Sequence, residues 1–280
     1  MTFICQASAQ PTRYQTPLEQ VQWQFEGDIF HCRLSQDIAG FGSLALTLLP
    51  GSAPELSLNA DWLSQAGTTV ASTVGSSWAQ DTVTDTRIPM HWQERRAIAR
   101  GQQLNRFIEA LEQGHSWQVD IEQHQQVAYQ LTAAPVRVSA AVQAWRQCRR
   151  DLLPQPFEYV RQRAIQFASA SADLSADAEQ DLRAIAQYVR ADAGVSGVMV
   201  DGHADSQGNR IANLVLSQER AQNVASRLIE LGVNADKLQV FHHGTRQPIA
   251  ADDSAAGRQL NRRVVVRLVR AAGTSQEAAR

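Results

Sequence analysis

The C-terminal half of the chain places a carboxylate, Asp205, and a guanidinium, Arg220, where folding could bring them together. Asp205 closes the run Gly202-His203-Ala204-Asp205, Asn213 and Arg220 follow it, and Arg262 lies in Gly257-Arg258-Gln259-Leu260-Asn261-Arg262-Arg263. A carboxylate beside a guanidinium suits a zwitterionic amino-acid terminus, the acid accepting from an ammonium and the arginine forking onto a carboxylate. The plainer alternative is that Asp205 and Arg220 pair with each other at the surface, where an ion pair contributes little. His242 and His243 are adjacent on a predicted strand, so their side chains point to opposite faces and no shared metal site is expected. No G-x-S-x-G, H-E-x-x-H or glycine-rich phosphate loop occurs, so the chain reads as non-enzymatic and without a cofactor.

The elements that would position these groups alternate strands and helices. A strand is expected from Val160 to Phe167. A helix capped by Ser175 follows, with Ala178, Leu182, Ile185, Ala186 and Val189 as its apolar stripe and Gly194 as its stop. Val198 to Val200 form a short buried strand, and a polar loop then leads to a longer helix that turns Ala221, Val224, Ala225 and Leu228 inward and ends at Gly232. Leu238 to His242 and Val264 to Val269 supply two more strands. The order β-α-β-α-β-β implies one sheet covered by two helices. Asp205 then sits in a loop after a strand and Arg220 near the start of the next helix.

Ahead of Pro154-Gln155-Pro156, which cannot continue a helix, the periodicity is two. Val21, Trp23 and Phe25 alternate with polar residues, as do Trp117, Val119 and Ile121, and again Val127, Tyr129 and Leu131. One helix interrupts, with Leu104, Phe107, Ile108 and Leu111 on a face and Gly114 as its stop. A second is expected from Ser139, as N-cap, to Leu153, with Val142, Trp145, Cys148 and Leu152 on one side. The expected fold is therefore α+β, a β-rich domain at 10–153 followed by a second domain at 154–270.

A net charge of −2 excludes nucleic-acid binding by phosphate neutralisation, and no run of roughly 18 apolar residues offers a membrane span. Residues 1–9 end in Ala7-Ser8-Ala9, a small-x-small pattern, and are expected to be a signal-peptide remnant; an ordinary tail is the alternative. Residues 271–280 read as a disordered tail. Cys32 and Cys148 remain once Cys5 is set aside. An even pair in an exported protein favours a disulfide, and two buried free thiols stay open at this point.

Gly202-His203-Ala204-Asp205, Asn213, Leu216-Ser217, Arg220-Ala221, Gly232, Gly244, Pro248-Ile249 and Gly257 to Arg263 together resemble the OmpA-like family over about Phe157 to Arg270. The resemblance implies binding of the peptidoglycan stem peptide through its diaminopimelate side chain, with Asp205, Asn213, Arg220 and Arg262 lining the pocket. Ala204, Ala168 and Ala170 stand where that family carries polar groups, which implies weaker binding. Trp23, Cys32-Arg33-Leu34, Ile38-Ala39-Gly40-Phe41-Gly42, Ile88 to Trp92 and Cys148 resemble the MotY family of periplasmic flagellar motor proteins. That resemblance implies a Cys32–Cys148 disulfide and a place in the T ring around the basal body. It also implies contact with a MotX-like partner through the N-terminal domain and a role in holding stator units. The alternative is a general OmpA-type protein tethering the outer membrane to peptidoglycan.

Overall fold

Alternation at a period of two builds most of the N-terminal half, in a computed structural model that describes residues 10–63, 67–75 and 86–271. The expected signal remnant at 1–9, with Cys5, and all but Ala271 of the expected tail lie outside the described residues. Two compact units divide the chain, residues 1–152 and 153–280.

In the first unit the strands are β1 (Thr12–Gln15), β2 (Trp23–Gly27), β3 (Cys32–Ile38), β4 (Gly42–Leu48), β5 (Glu55–Asn59), β6 (Thr69–Val74), β7 (Arg87–Gln93) and β8 (Arg96–Arg100). Helix α1 (Asn105–Glu112), β9 (Ser116–Gln123), β10 (Gln126–Ala133) and helix α2 (Ser139–Asp151) complete it. The strands join in the order β1-β10-β9-β6-β7-β8-β5-β4-β3-β2, with β1 parallel to β10 and its sequence neighbours antiparallel. Trp117, Val119 and Ile121 alternate inward along β9, and with Leu34, Leu46, Leu58, Phe107 and Trp145 they share one apolar core. Two buried indoles find acceptors: Trp117 Nε1 donates to Phe107 O at 2.7 Å and Trp23 Nε1 to Ala134 O at 2.9 Å.

Helix α2 turns Val142, Trp145 and Cys148 inward, and a Cys32–Cys148 disulfide ties it to β3. Gly27 makes room for that bond, since a Cβ there would lie 2.8 Å from Cys148 Sγ and 2.9 Å from His31 O. Ser139 is not the cap that its type suggested. The chain turns at Arg137, with φ 56°, and Val138 is already helical, so Ser139 lies inside the first turn and makes no capping bond. The helix also stops at Asp151, because Leu152 is extended on the approach to Pro154.

The second unit runs α3 (Phe157–Val160), β11 (Gln162–Gln166), α4 (Ala176–Ala191), β12 (Val195–Gly202), α5 (Arg210–Glu230), β13 (Leu238–His242), α6 (Ala255–Asn261) and β14 (Arg263–Arg270). Its sheet has the order β11-β14-β12-β13, with only the β12–β13 pair parallel. Ile165, Val198, Val200, Val264, Val266 and Leu268 make the buried face, and the apolar stripes of α4 and α5 supply the rest of the core. The α+β class matches the expectation. Two details differ from it. Residues 157–160 form a helical turn entered from Pro156, so the first strand begins at Gln162 and not at Val160. A short helix, α6, also separates the last two strands; Ser254 caps it, its Oγ accepting from Gly257 N at 3.0 Å.

Candidate functional site

The loop that carries Asp205 is built by two close approaches and a cap. Gly202 ends β12 against α5, and a Cβ there would run into the Ser217 carbonyl, so the strand and helix touch only because the residue has no side chain. Asn209 then caps α5, its Oδ1 accepting from Ile211 N at 2.7 Å. Asn213, one turn on, donates through Nδ2 to Asp205 O at 3.0 Å and Gln207 O at 2.8 Å, stitching the loop to the helix.

Asp205 sits at the rim of this loop, its side chain 9% exposed. Oδ1 accepts from Gln207 N at 3.2 Å, and Oδ2 pairs with Arg262 Nη1 at 2.9 Å. Arg262, at the C-terminal end of α6, also donates through Nε to Phe167 O and through Nη2 to Gln259 Oε1. The carboxylate and guanidinium brought face to face are therefore Asp205 and Arg262. Arg220 is elsewhere: fully buried, it donates through Nε to Ser171 O at 2.8 Å, through Nη2 to Ala168 O at 3.0 Å and through Nη1 to His203 O at 3.3 Å. Its guanidinium lies 5.2 Å from the Phe167 ring centroid. Burial pushes its pKa down to about 10, with Asp205 opposing the shift and Arg262 adding to it, so the group remains a cation at neutral pH. Asp205 and Arg220, expected to converge, do lie close enough for their charges to interact, but the direct ion pair of Asp205 is with Arg262, over a buried Arg220. Arg220 lies in the Ser217, Ala221, Val224 row of α5, which faces the interior, and its charge is met by backbone oxygens.

Two further residues hold this region, and neither was singled out from sequence for that role. Asn261, fully buried, donates to Ala250 O and Asp252 Oδ1 at 2.8 Å each and accepts from Ile249 N at 2.8 Å. Asp252 in turn accepts from Ser206 N at 2.9 Å. Burial raises the Asp252 pKa, but hydrogen bonds from Asn261 and Ser206 and the nearby Arg258 outweigh it and hold the carboxyl below its usual range. The signal was the asparagine itself, a side chain able to donate and accept at once beside a helix end. The alanines behave as methyls: Ala204 is buried with its N–H on Gly244 O, Ala170 takes a left-handed φ of 53°, and Ala168 contributes only its carbonyl.

His242 and His243 part as strand alternation requires. His242 is exposed, while His243 stacks on His203 with ring centroids 4.9 Å apart and binds Asp201 Oδ1 through Nε2 at 2.9 Å. Burial, then Arg263 and His243, push the His203 pKa down to about 4 against the pull of Asp201. Among the described residues no three His, Cys, Asp or Glu side chains converge as a metal site, and no helix is long and apolar enough to cross a membrane.

Comparison with known proteins divides the chain in the same two parts. Residues 14–154 match the family described as the MotY N-terminal domain, and residues 166–262 match the OmpA family. The sodium-type flagellar protein MotY of Vibrio parahaemolyticus is 31% identical over 127 residues, 45% of this chain and 43% of that protein. The probable lipoprotein YiaD of Escherichia coli is 36% identical over 104 residues, 37% of this chain and 47% of that one. The chain thus spans less than half the length of either relative. The crystal structure of the C-terminal domain of Helicobacter pylori MotB aligns with 39% of this chain and 86% of its own, at 28% identity and a TM-score of 0.37.

Proposed function

This chain belongs to the MotY family, and from that premise we propose that it is a non-enzymatic periplasmic part of the flagellar motor, held to peptidoglycan through its C-terminal unit. The observation that carries the reading is the union, in one chain, of the MotY N-terminal match at 14–154 with an OmpA-family match at 166–262. The likeness to a flagellar MotY on one side and to peptidoglycan-associated lipoproteins of Agrobacterium fabrum and others on the other supports it. In this reading the N-terminal unit meets the basal body and a MotX-like partner within the T ring, and the assembly steadies stator units that push against the wall. Torque needs a reaction point, and the wall is the rigid layer available there.

The site chemistry is consistent with a charged stem peptide as ligand. Asp205 and Arg262 stand side by side with opposite charges, so a zwitterionic terminus, as on diaminopimelate, exchanges their mutual bond for two: ammonium to Asp205, carboxylate to Arg262. Arg220 lies beneath as a fixed cation and sets the backbone of residues 168–171 and 203 through its bonds to the Ala168, Ser171 and His203 carbonyls. Asn213 holds the loop. The test is a deletion in the bacterium that encodes the chain: filaments assemble but do not rotate, scored by tethered-cell rotation and filament staining. Cells without filaments, or with normal swimming, sink the motor reading.

A further inference from the structure

The face of the C-terminal sheet opposite its helices carries a second polar cluster. Strand alternation places Asp201, Arg263 and Arg267 on this face, since Val264, Val266 and Leu268 occupy the other. A cavity of about 300 Å³ opens there, walled by Arg263, Arg267, His203, His243, Asp201 and Gln247 among others. Arg263 is 4% exposed. Its Nη2 donates to Gln247 O at 3.1 Å, while Nη1 is buried with no partner.

The charges on this face do not balance. Asp201 is its carboxylate and is engaged by His243 at 2.9 Å and Arg267 at 3.5 Å. Gln166, the register partner of Arg263 on β11, brings an amide oxygen that is itself buried without a partner and neutralises nothing. Burial alone lowers the Arg263 pKa. A guanidinium stays protonated in such a place, and a buried cation without a counter-ion is costly unless an anion reaches it. Arg267, its side chain half exposed at the same cavity, supplies a second cation two strand repeats along β14, roughly 13 Å away at the backbone and within the reach of two arginine side chains.

We propose that this cavity binds a small oxyanion, of the carboxylate or phosphate class, between Arg263 and Arg267. The anion accepts from Arg263 through a rotation of its terminal torsions that turns Nη1 toward the cavity, and Arg267 exchanges its longer contact with Asp201 for the ligand. This site is separate from the Asp205–Arg262 loop: its two arginines project from β14 on the sheet face away from the helices.

The experiment is a titration of the full-length chain with inorganic phosphate and with acetate, against chloride at equal ionic strength, read by amide chemical shifts and by thermal unfolding of the C-terminal unit. Phosphate or acetate should raise the transition above the chloride control and perturb residues of β12 and β14 around Asp201, Arg263 and Arg267. Arg267→Gln, at an exposed position that keeps the fold, should weaken the effect roughly tenfold, the loss of one charge-assisted contact. Arg263→Met should abolish it. Response to one anion and not the other identifies which member of the class fits. Equal shifts in chloride, perturbations confined to the Asp205 loop, or an unchanged response in Arg267→Gln would each overturn the proposal.

Discussion

The two units fill their interiors with different chemistry. The described residues of the first unit bury Trp117, Trp145, Phe107 and a bed of Leu, Ile and Val, and among them the buried polar side chains are Ser, Thr and Gln and the imidazole of His115. The buried carboxylate and guanidinium groups among the described residues, Asp205, Arg220 and Arg263, all belong to the second unit. An apolar core needs shape and area, and many sequences can supply both. A core built around charges has to be satisfied group by group. The first unit therefore has the character of a scaffold, and the second that of a scaffold which also keeps fixed charges next to its loops.

The contrast can be broken most severely at Arg220. Arg220→Ala leaves three carbonyls without their donor and should cost the C-terminal unit about 3–5 kcal/mol while the N-terminal unit unfolds as before. The two are separable in one denaturation series, because the six tryptophans, at positions 23, 62, 78, 92, 117 and 145, all lie in the first unit. Indole fluorescence follows that unit alone, and circular dichroism follows both. A loss below roughly 1 kcal/mol, within the range of an ordinary surface change, would mean that Arg220 is no hub.

Reduction tests the other side. The Cys32–Cys148 bond closes a loop with a sequence separation of 116, for which chain entropy gives a ceiling of about 4–5 kcal/mol. Reductant or Cys148→Ser should lower the fluorescence transition by about 2–4 kcal/mol and leave the second transition in place. Coincident curves with and without reductant would show that the apolar core holds the first unit unaided. The smallest effect on stability, and the sharpest on function, belongs to Asp205→Asn. It removes one charge of a buried ion pair but leaves an amide oxygen that can still accept from Gln207 N and Arg262, so unfolding should move by about 1–2 kcal/mol. Pelleting with purified sacculi should fall roughly tenfold, about 1.4 kcal/mol. Wild-type pelleting by this variant would remove Asp205 from the ligand's contacts.

Much of the fold was legible because its periodicities are strong. The period-two runs around Trp117 and Tyr129, the stripes of α4 and α5 and the break at Pro154 to Pro156 all follow from residue type. The site was legible as a set of residues, less so as a geometry. Arg220 was set beside Asp205 because a loop after a strand and the start of the next helix can meet and so offer opposite charges to a ligand. Yet its place in the Ser217-Ala221-Val224 row already pointed it inward, where carbonyls left by an irregular loop could satisfy it. Helix α6 went unread because its residues, Ala255 to Asn261, are too few to show a stripe; only Ser254 and Gly257 mark its start. Ser139 misled for the opposite reason: a good capping residue has no capping role when the chain has already turned at Arg137. Arg262 ends α6 and Arg263 begins β14, so two adjacent guanidiniums of identical type serve different places.

Cys148 stands on the last turn of α2, just before the chain passes at Leu153 into the second unit. A pull transmitted along the backbone from that point meets a covalent link almost at once and is handed to β3, in the body of the ten-stranded sheet. The helix is thereby protected from being peeled away turn by turn. Mechanical failure of the first unit then requires shearing a strand out of its neighbours on both sides, a far stiffer mode of rupture, and the chain acquires a natural point of attachment for load.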